Sequence, residues 1–269
     1  MYGGELIHKG SDEYGSIEIV DFQQALRSLH FGNKTQQSAM LLSNPFILVH
    51  KYAQAMMLPL SWKKPERVLV LGLGSGSIVR YLYNYCPQLI IDAVELRGEV
   101  IALAREYFLL PEPDERLHIY NESAFDWLKT HATVPSPDEP AQKGAMQTES
   151  SPDFRPRYDM VFVDMFLTTE VGKDIAINVS SQLDALTHLL NPEGSLIINQ
   201  LGDDILSYPG LDTLRANFPQ QLHTINIESL NSILIASKGH VPETLDEEGF
   251  YEVELNYMLP FRSYFKKLR

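Results

Sequence analysis

Arg67-Val68-Leu69-Val70-Leu71-Gly72-Leu73-Gly74-Ser75-Gly76-Ser77 is the stretch on which the fold turns. Val68 to Leu71 is an unbroken apolar run, the pattern of a strand covered on both faces. The glycines directly after it let the backbone bend sharply and approach a ligand closely. Residues 77–85 then read as a helix whose free N–H groups and positive dipole end point at that ligand. A glycine-rich turn placed between a strand and a helix is a far stronger signal than the glycines alone.

Outward from this centre, strands at 89–94, 117–120, 160–163 and 195–199 alternate with helices at 99–108, 124–130 and 183–190. That rhythm predicts a parallel sheet with helices on both faces. Two late segments, 223–227 and 232–236, are joined by only Glu228-Ser229-Leu230-Asn231. So short a connection fits an antiparallel hairpin at the sheet's edge. The predicted class is therefore α/β, a Rossmann-like seven-stranded sheet of methyltransferase type, because dinucleotide-binding sheets usually lack such a closing hairpin.

Before the sheet, residues 14–31 carry short strand-like segments and Phe31-Gly32-Asn33-Lys34 reads as a turn. A small N-terminal β-hairpin domain over 1–44 and a Rossmann-like domain over 45–269 are expected. A helix is predicted over 45–58, with Pro45 in its first turn and Ile47, Leu48, Tyr52 and Met56 on one face. Residues 131–157 hold Pro135, Pro137, Pro140, Pro152 and Pro156 among polar residues and read as a flexible surface insertion.

Composition narrows the function classes. With 269 residues, 44% of them hydrophobic and 21% charged, the chain is ordinary for a globular enzyme. The formal net charge of −13 argues against non-specific nucleic-acid binding, which works by neutralising phosphates. One cysteine, Cys86, excludes an internal disulfide and fits a reducing, cytoplasmic setting, and it reads as an apolar filler rather than a nucleophile. The start Met1-Tyr2-Gly3-Gly4 has no signal-peptide pattern, and no apolar run is long enough for a membrane helix. The histidines show no metal-ligand spacing, so no metal is expected.

Gly72, Gly74, Ser75 and Gly76 form GxGxG, not the GxGxxG of the NAD fingerprint, which favours an adenosyl sulfonium over a dinucleotide. Glu95 closes the second strand, 19 residues after Gly76, with Leu96 beside it. A carboxylate there accepts hydrogen bonds from both ribose hydroxyls and repels a 2′-phosphate. Glu122, Ser123 and Ala124 follow the third strand, where an adenine would lie, and Ser123 is also a good N-cap for the next helix. Asp164 ends the fourth strand and so faces the reacting end of the crevice, as a proton acceptor or as a partner for the cofactor's ammonium.

Taken together, these stretches resemble the spermidine synthase family of aminopropyltransferases and its methyltransferase-fold relatives. The likeness spans most of residues 13–200 and is carried by Glu13 to Ile19, Phe31 to Ser38, Arg67 to Gly76, Val94 to Leu96, Val100 to Phe108 and Tyr158 to Asp164. It implies S-adenosylmethionine or its decarboxylated form as cofactor, an amine acceptor with polyamines among the candidates, and a homodimer. Gln36 or Gln37 matches the family's N-terminal cofactor-contacting glutamine, Glu95 its ribose-binding acid, and Asp164 the first aspartate of its catalytic DSxD loop. That loop reads Asp164-Met165-Phe166-Leu167 here, Ser123 stands for the adenine-side aspartate, and Lys51 stands where the family has an acid. Three changes in the same direction leave aminopropyl and methyl transfer both open, with a catalytically silent nucleoside-binding protein as the alternative.

Overall fold

The computed structural model describes residues 3–132, 157–165, 167–168, 174–175, 179–202, 204–228 and 230–269. The predicted insertion at 131–157 falls almost wholly outside the described residues. The first unit is a four-stranded antiparallel sheet in the order β1 (Glu5–Asp12), β2 (Gly15–Phe22), β3 (Leu26–His30) and β4 (Ser38–Leu41). The sequence predicts a smaller hairpin because β1 is an exposed edge strand with almost no apolar alternation to betray it.

The predicted helix over 45–58 is corrected to a shorter one, α1 (Lys51–Met56), followed by a 3-10 turn at Leu58–Ser61. The Pro45 carbonyl accepts from Arg80 Nε at 2.6 Å and the Leu48 carbonyl accepts from Gln54 Nε2 at 2.7 Å. Side chains thus occupy the carbonyls that an earlier helical start would use. The helical ladder begins only at the His50 carbonyl, which accepts from the Gln54 N–H at 3.1 Å.

From there strands and helices alternate: β5 (Arg67–Leu71), α2 (Ser77–Tyr85), β6 (Ile90–Glu95), α3 (Gly98–Phe108), β7 (Leu117–Asn121), α4 (Ala124–His131) and β8 (Tyr158–Val163). A two-residue ladder, β9 (Leu167–Thr168) with β10 (Asp174–Ile175), precedes α5 (Ser180–Leu189) and the long β11 (Leu190–Leu201). The chain ends with α6 (Leu211–Asn217), β12 (Leu222–Ile227), β13 (Asn231–Ser237), α7 (Glu247–Tyr257) and α8 (Phe261–Phe265). The large sheet runs β12-β13-β11-β8-β5-β6-β7, seven strands, with β13 antiparallel to both β11 and β12. The closing hairpin is therefore where the sequence puts it.

Alternation along each strand divides the core. Val68 and Val70 of β5 join Met160 and Phe162 of β8 under α1, α2, α7 and α8. Leu69 and Leu71 join Val161 and Val163 under α4, α5 and α6. All eight are buried, and each such side chain contributes about 1.5–3 kcal/mol of burial. A third cluster packs Ile17, Ile19, Leu29 and Met40 of the N-terminal sheet on Val100, Leu103 and Phe108 of α3. Arg97, itself buried, pins that contact through Asp12 at 2.8 Å and the Gly15 carbonyl at 2.9 Å, with its guanidinium over the Phe31 ring. The N-terminal sheet is thereby held over the carboxyl ends of β5 and β6.

At the opposite ends of the strands one fully buried carboxylate, Asp92, ties four of them together. It accepts from Arg67 Nε of β5 at 2.9 Å and from the Tyr158 hydroxyl of β8 at 2.7 Å, and it lies 2.7 Å from His118 Nδ1 of β7. Removing the hydroxyl takes one of two donors from Asp92 Oδ2 and leaves Arg67 Nε as its remaining partner. Tyr158→Phe is expected to lower unfolding stability by about 1–3 kcal/mol in a urea titration while leaving ligand affinity at the far end of the sheet unchanged. A variant as stable as the parent contradicts the role given to this bond.

Candidate active site

In open α/β sheets ligands bind outside the carboxyl ends of the strands, and here the glycine turn after β5 lies at that edge. Gly72, Gly74 and Gly76 have φ of +91°, +55° and +76°, the region that side chains disfavour. A Cβ on Gly72 would sit 2.3 Å from the Asp164 carbonyl oxygen, and one on Gly76 would sit 2.7 Å from Leu110 Cδ1. The Asp164 N–H in turn donates to the Leu71 carbonyl at 2.9 Å. Turn and acid are therefore locked side by side.

The amides of this turn are spent within the protein. Gly72 donates to the Val94 carbonyl, Leu73 to Glu95 Oε2 at 2.9 Å, Ser75 to Ser38 Oγ at 2.9 Å and Gly76 to the Leu73 carbonyl. Glu95 Oε1 accepts from the Arg97 N–H at 2.9 Å. Such a turn is a poor cradle for a pyrophosphate, which needs free donors, and the adjacent Glu95 carboxylate would repel one. The same carboxylate suits a ligand that brings hydroxyl donors and positive charge.

The other expected residues lie on the segments that follow β3, β6 and β7. Gln36 and Gln37 are half-buried in the link between β3 and β4, and the Gln37 N–H is anchored on the Leu29 carbonyl. Leu96 is half-buried directly after β6, where Asn121 Nδ2 donates to the carbonyls of Glu95 and Leu96 at 3.0 Å. Glu122 and Ser123 are half-buried between β7 and α4, with Ala124 buried. The Ser123 hydroxyl accepts from the Phe125 N–H at 3.2 Å, so it caps α4. Lys51, the cation at the family's acid position, is exposed and paired with Glu228 of the β12–β13 turn.

Asp164 has partners that sequence reasoning missed. The Tyr52 hydroxyl of α1 donates to Oδ2 at 3.2 Å, and Asn199 Nδ2 of β11 donates to Oδ1 at 2.8 Å. Burial pushes the Asp164 carboxyl above the ordinary carboxylate range, and these two donors pull it partly back. Burial, reinforced by the Asp164 charge, holds the Tyr52 phenol well above its usual range, so it stays a donor. The His50 ring stacks on Tyr52 with centroids 5.6 Å apart, and burial lowers its pKa. A hint existed for Asn199, the polar residue that ends the apolar run Leu196-Ile197-Ile198 on the crevice side of the sheet. Tyr52 carries no such mark.

No protein-family model matches the chain. A polyamine aminopropyltransferase of Chromobacterium violaceum is 41% identical over 105 residues, which cover 39% of this chain and 40% of that protein. The chain thus matches well under half the length of this curated relative. Human methyltransferase-like protein 13, solved in complex with SAH, superposes with a TM-score of 0.58 at 23% identity, over 82% of this chain and 94% of that one. A spermidine synthase solved in complex with the transition state analogue AdoDATO superposes with a TM-score of 0.61 at 15% identity, over 92% and 78%. The fold is a spermidine-synthase-like class I methyltransferase fold, and these relatives and structural neighbours are transferases, aminopropyltransferases and methyltransferases alike.

The lock between turn and acid is open to a direct check. Gly72→Ala adds both backbone strain and the clash with Asp164, whereas Gly202→Ala, at φ +92° with open space around it, adds strain alone. The first is expected to lose roughly 2 kcal/mol more than the second in denaturant unfolding. Equal losses would mean that Gly72 and Asp164 are not in contact.

Proposed function

We infer that the chain is a transferase that binds an adenosyl sulfonium in this crevice and passes an aminopropyl or methyl group to an amine acceptor. The observation that carries this reading is a buried carboxylate, Asp164, fixed by two donors beside a glycine turn whose amides are closed to phosphate. The bound ligands of two structural neighbours, SAH and AdoDATO, support a cofactor of the S-adenosylmethionine type. Glu95 is the residue suited to the ribose hydroxyls, Glu122 and Ser123 lie on the adenine side, and Gln36 and Gln37 lie on the N-terminal sheet's side.

When bound, such a cofactor supplies an electrophilic carbon on a positively charged sulfur, with a neutral thioether as leaving group. The acceptor nitrogen forms the new C–N bond as the C–S bond breaks and its electron pair returns to sulfur. The chain's own part is to orient the amine and to take its surplus proton. Asp164 Oδ1 and Oδ2 are held by Asn199 and Tyr52, so the carboxylate is aimed rather than free to rotate. Orientation and proton acceptance at a fixed group are each worth orders of magnitude in rate.

Only the ionised form of Asp164 accepts a proton. Because burial raises its pKa, the acid limb of kcat is expected above the ordinary carboxylate range, with activity lost as pH falls through it. Asp164→Asn should cut turnover by roughly 10²-fold or more while sparing cofactor affinity. Equal turnover in that variant removes the proton-acceptor role. Calorimetric titration with S-adenosylmethionine, its decarboxylated form, methylthioadenosine and NAD tests the cofactor. Sulfonium or thioether nucleosides should bind, and Glu95→Ala should weaken them at least tenfold, about 1.4 kcal/mol. Binding of NAD alone would overturn the assignment.

A further inference from the structure

Asn199 is 5% exposed and has two different ends, one donor and one acceptor. Its donor end faces Asp164, and its Oδ1 accepts from Asn231 Nδ2 at 2.9 Å. An amide facing an ionised carboxylate must present its NH2, since two acceptor oxygens repel. An amide turned the other way would present its oxygen, which only a protonated carboxyl can satisfy. The orientation of Asn199 therefore biases the protonation of Asp164.

We propose that Asn231 is a positioning residue for the transfer reaction: by occupying Asn199 Oδ1 it holds the Asn199 NH2 on Asp164 and keeps that carboxylate ready to accept a proton. Asn231 opens β13 and is itself set by backbone register, paired with Leu201 of β11 on one side and Ile227 of β12 on the other. The closing hairpin of the sheet thus reaches the reacting end of the crevice through two amides. Asn231 lies one residue removed from the acid and touches it only through Asn199.

The other ionisable groups on the elements around Asp164 leave this task to the amides. Tyr52 is held as a donor, and burial lowers the pKa of the His50 ring stacked on it. Lys51 and Glu228 neutralise each other across the entrance between α1 and the β12–β13 turn. Glu95 is engaged with the Leu73 and Arg97 amides. Asn231 carries no charge, so it acts on the acid by direction alone.

This inference rests on Asp164 as proton acceptor, and its test separates the two. The Asp164 carboxyl is titrated by NMR in the full chain with 13C-labelled aspartate, its signal identified by loss in Asp164→Asn. Asn231→Ala is expected to raise the midpoint by about one pH unit, a tenfold change in the proton equilibrium, and to move the acid limb of kcat in step. Asn231→Gln, which keeps an amide donor, should return the midpoint toward the parent value. Asn231→Leu, similar in shape to asparagine but without a donor, carries the same expectation as the alanine variant if that one does not fold. A midpoint unmoved in the alanine or leucine variant, or moved as far in Asn231→Gln, overturns the proposal. Full turnover in Asp164→Asn instead overturns the proton-acceptor reading, whatever the titration shows.

Discussion

The carboxyl ends of β5 and β8 meet with almost no room between them, and the crevice takes its form from that closeness. Leu71 accepts the Asp164 N–H, and the Gly72 position admits no side chain because the Asp164 carbonyl fills the space. A parallel sheet makes such a meeting natural, since all strand ends on one side share one edge. The glycine turn, the acid after β8 and the acid after β6 then fall within one cleft. The N-terminal sheet completes it by lending Ser38 to the Ser75 amide and by holding Arg97 with Asp12.

Electrostatics then narrows what the cleft can hold. The turn donates its amides inward, to Glu95, to Ser38 and to backbone carbonyls, so it offers closeness rather than positive potential. Two carboxylates, Glu95 and Asp164, stand at its two ends. A ligand with ribose hydroxyls at one end and a sulfonium at the other matches that polarity, whereas a pyrophosphate would meet a carboxylate where it needs donors. Toward α1, Lys51 and Glu228 pair with each other, and Asp164 is left as the carboxylate around which Tyr52, Asn199 and Asn231 are arranged.

Much of this was legible in the sequence where chemistry and chain order coincide. The turn at Gly72–Gly76, Glu95 and Asp164 each end a strand, so a correct strand is enough to place them. The cap at Ser123 is local and was equally readable. Tyr52 and Asn199 were not, because they reach Asp164 from 112 and 35 residues away. The Tyr52 contact exists only once α1 packs across β11 and β13, and the Asn199 contact only once β11 pairs with β8. The helix drawn over 45–58 failed for a related reason, since long-range and local side chains claim the carbonyls of Pro45 and Leu48. The strand β1 and the helix α7 carry no clean apolar period, so nothing in their sequence marks them.

A crystal structure of the chain grown with methylthioadenosine tests the central claim most directly. The account predicts the nucleoside across the glycine turn, its ribose hydroxyls on Glu95 and its thioether sulfur at the Asp164 end of the cleft. A nucleoside bound elsewhere, or one lying in the cleft with its sulfur turned away from Asp164, would contradict it.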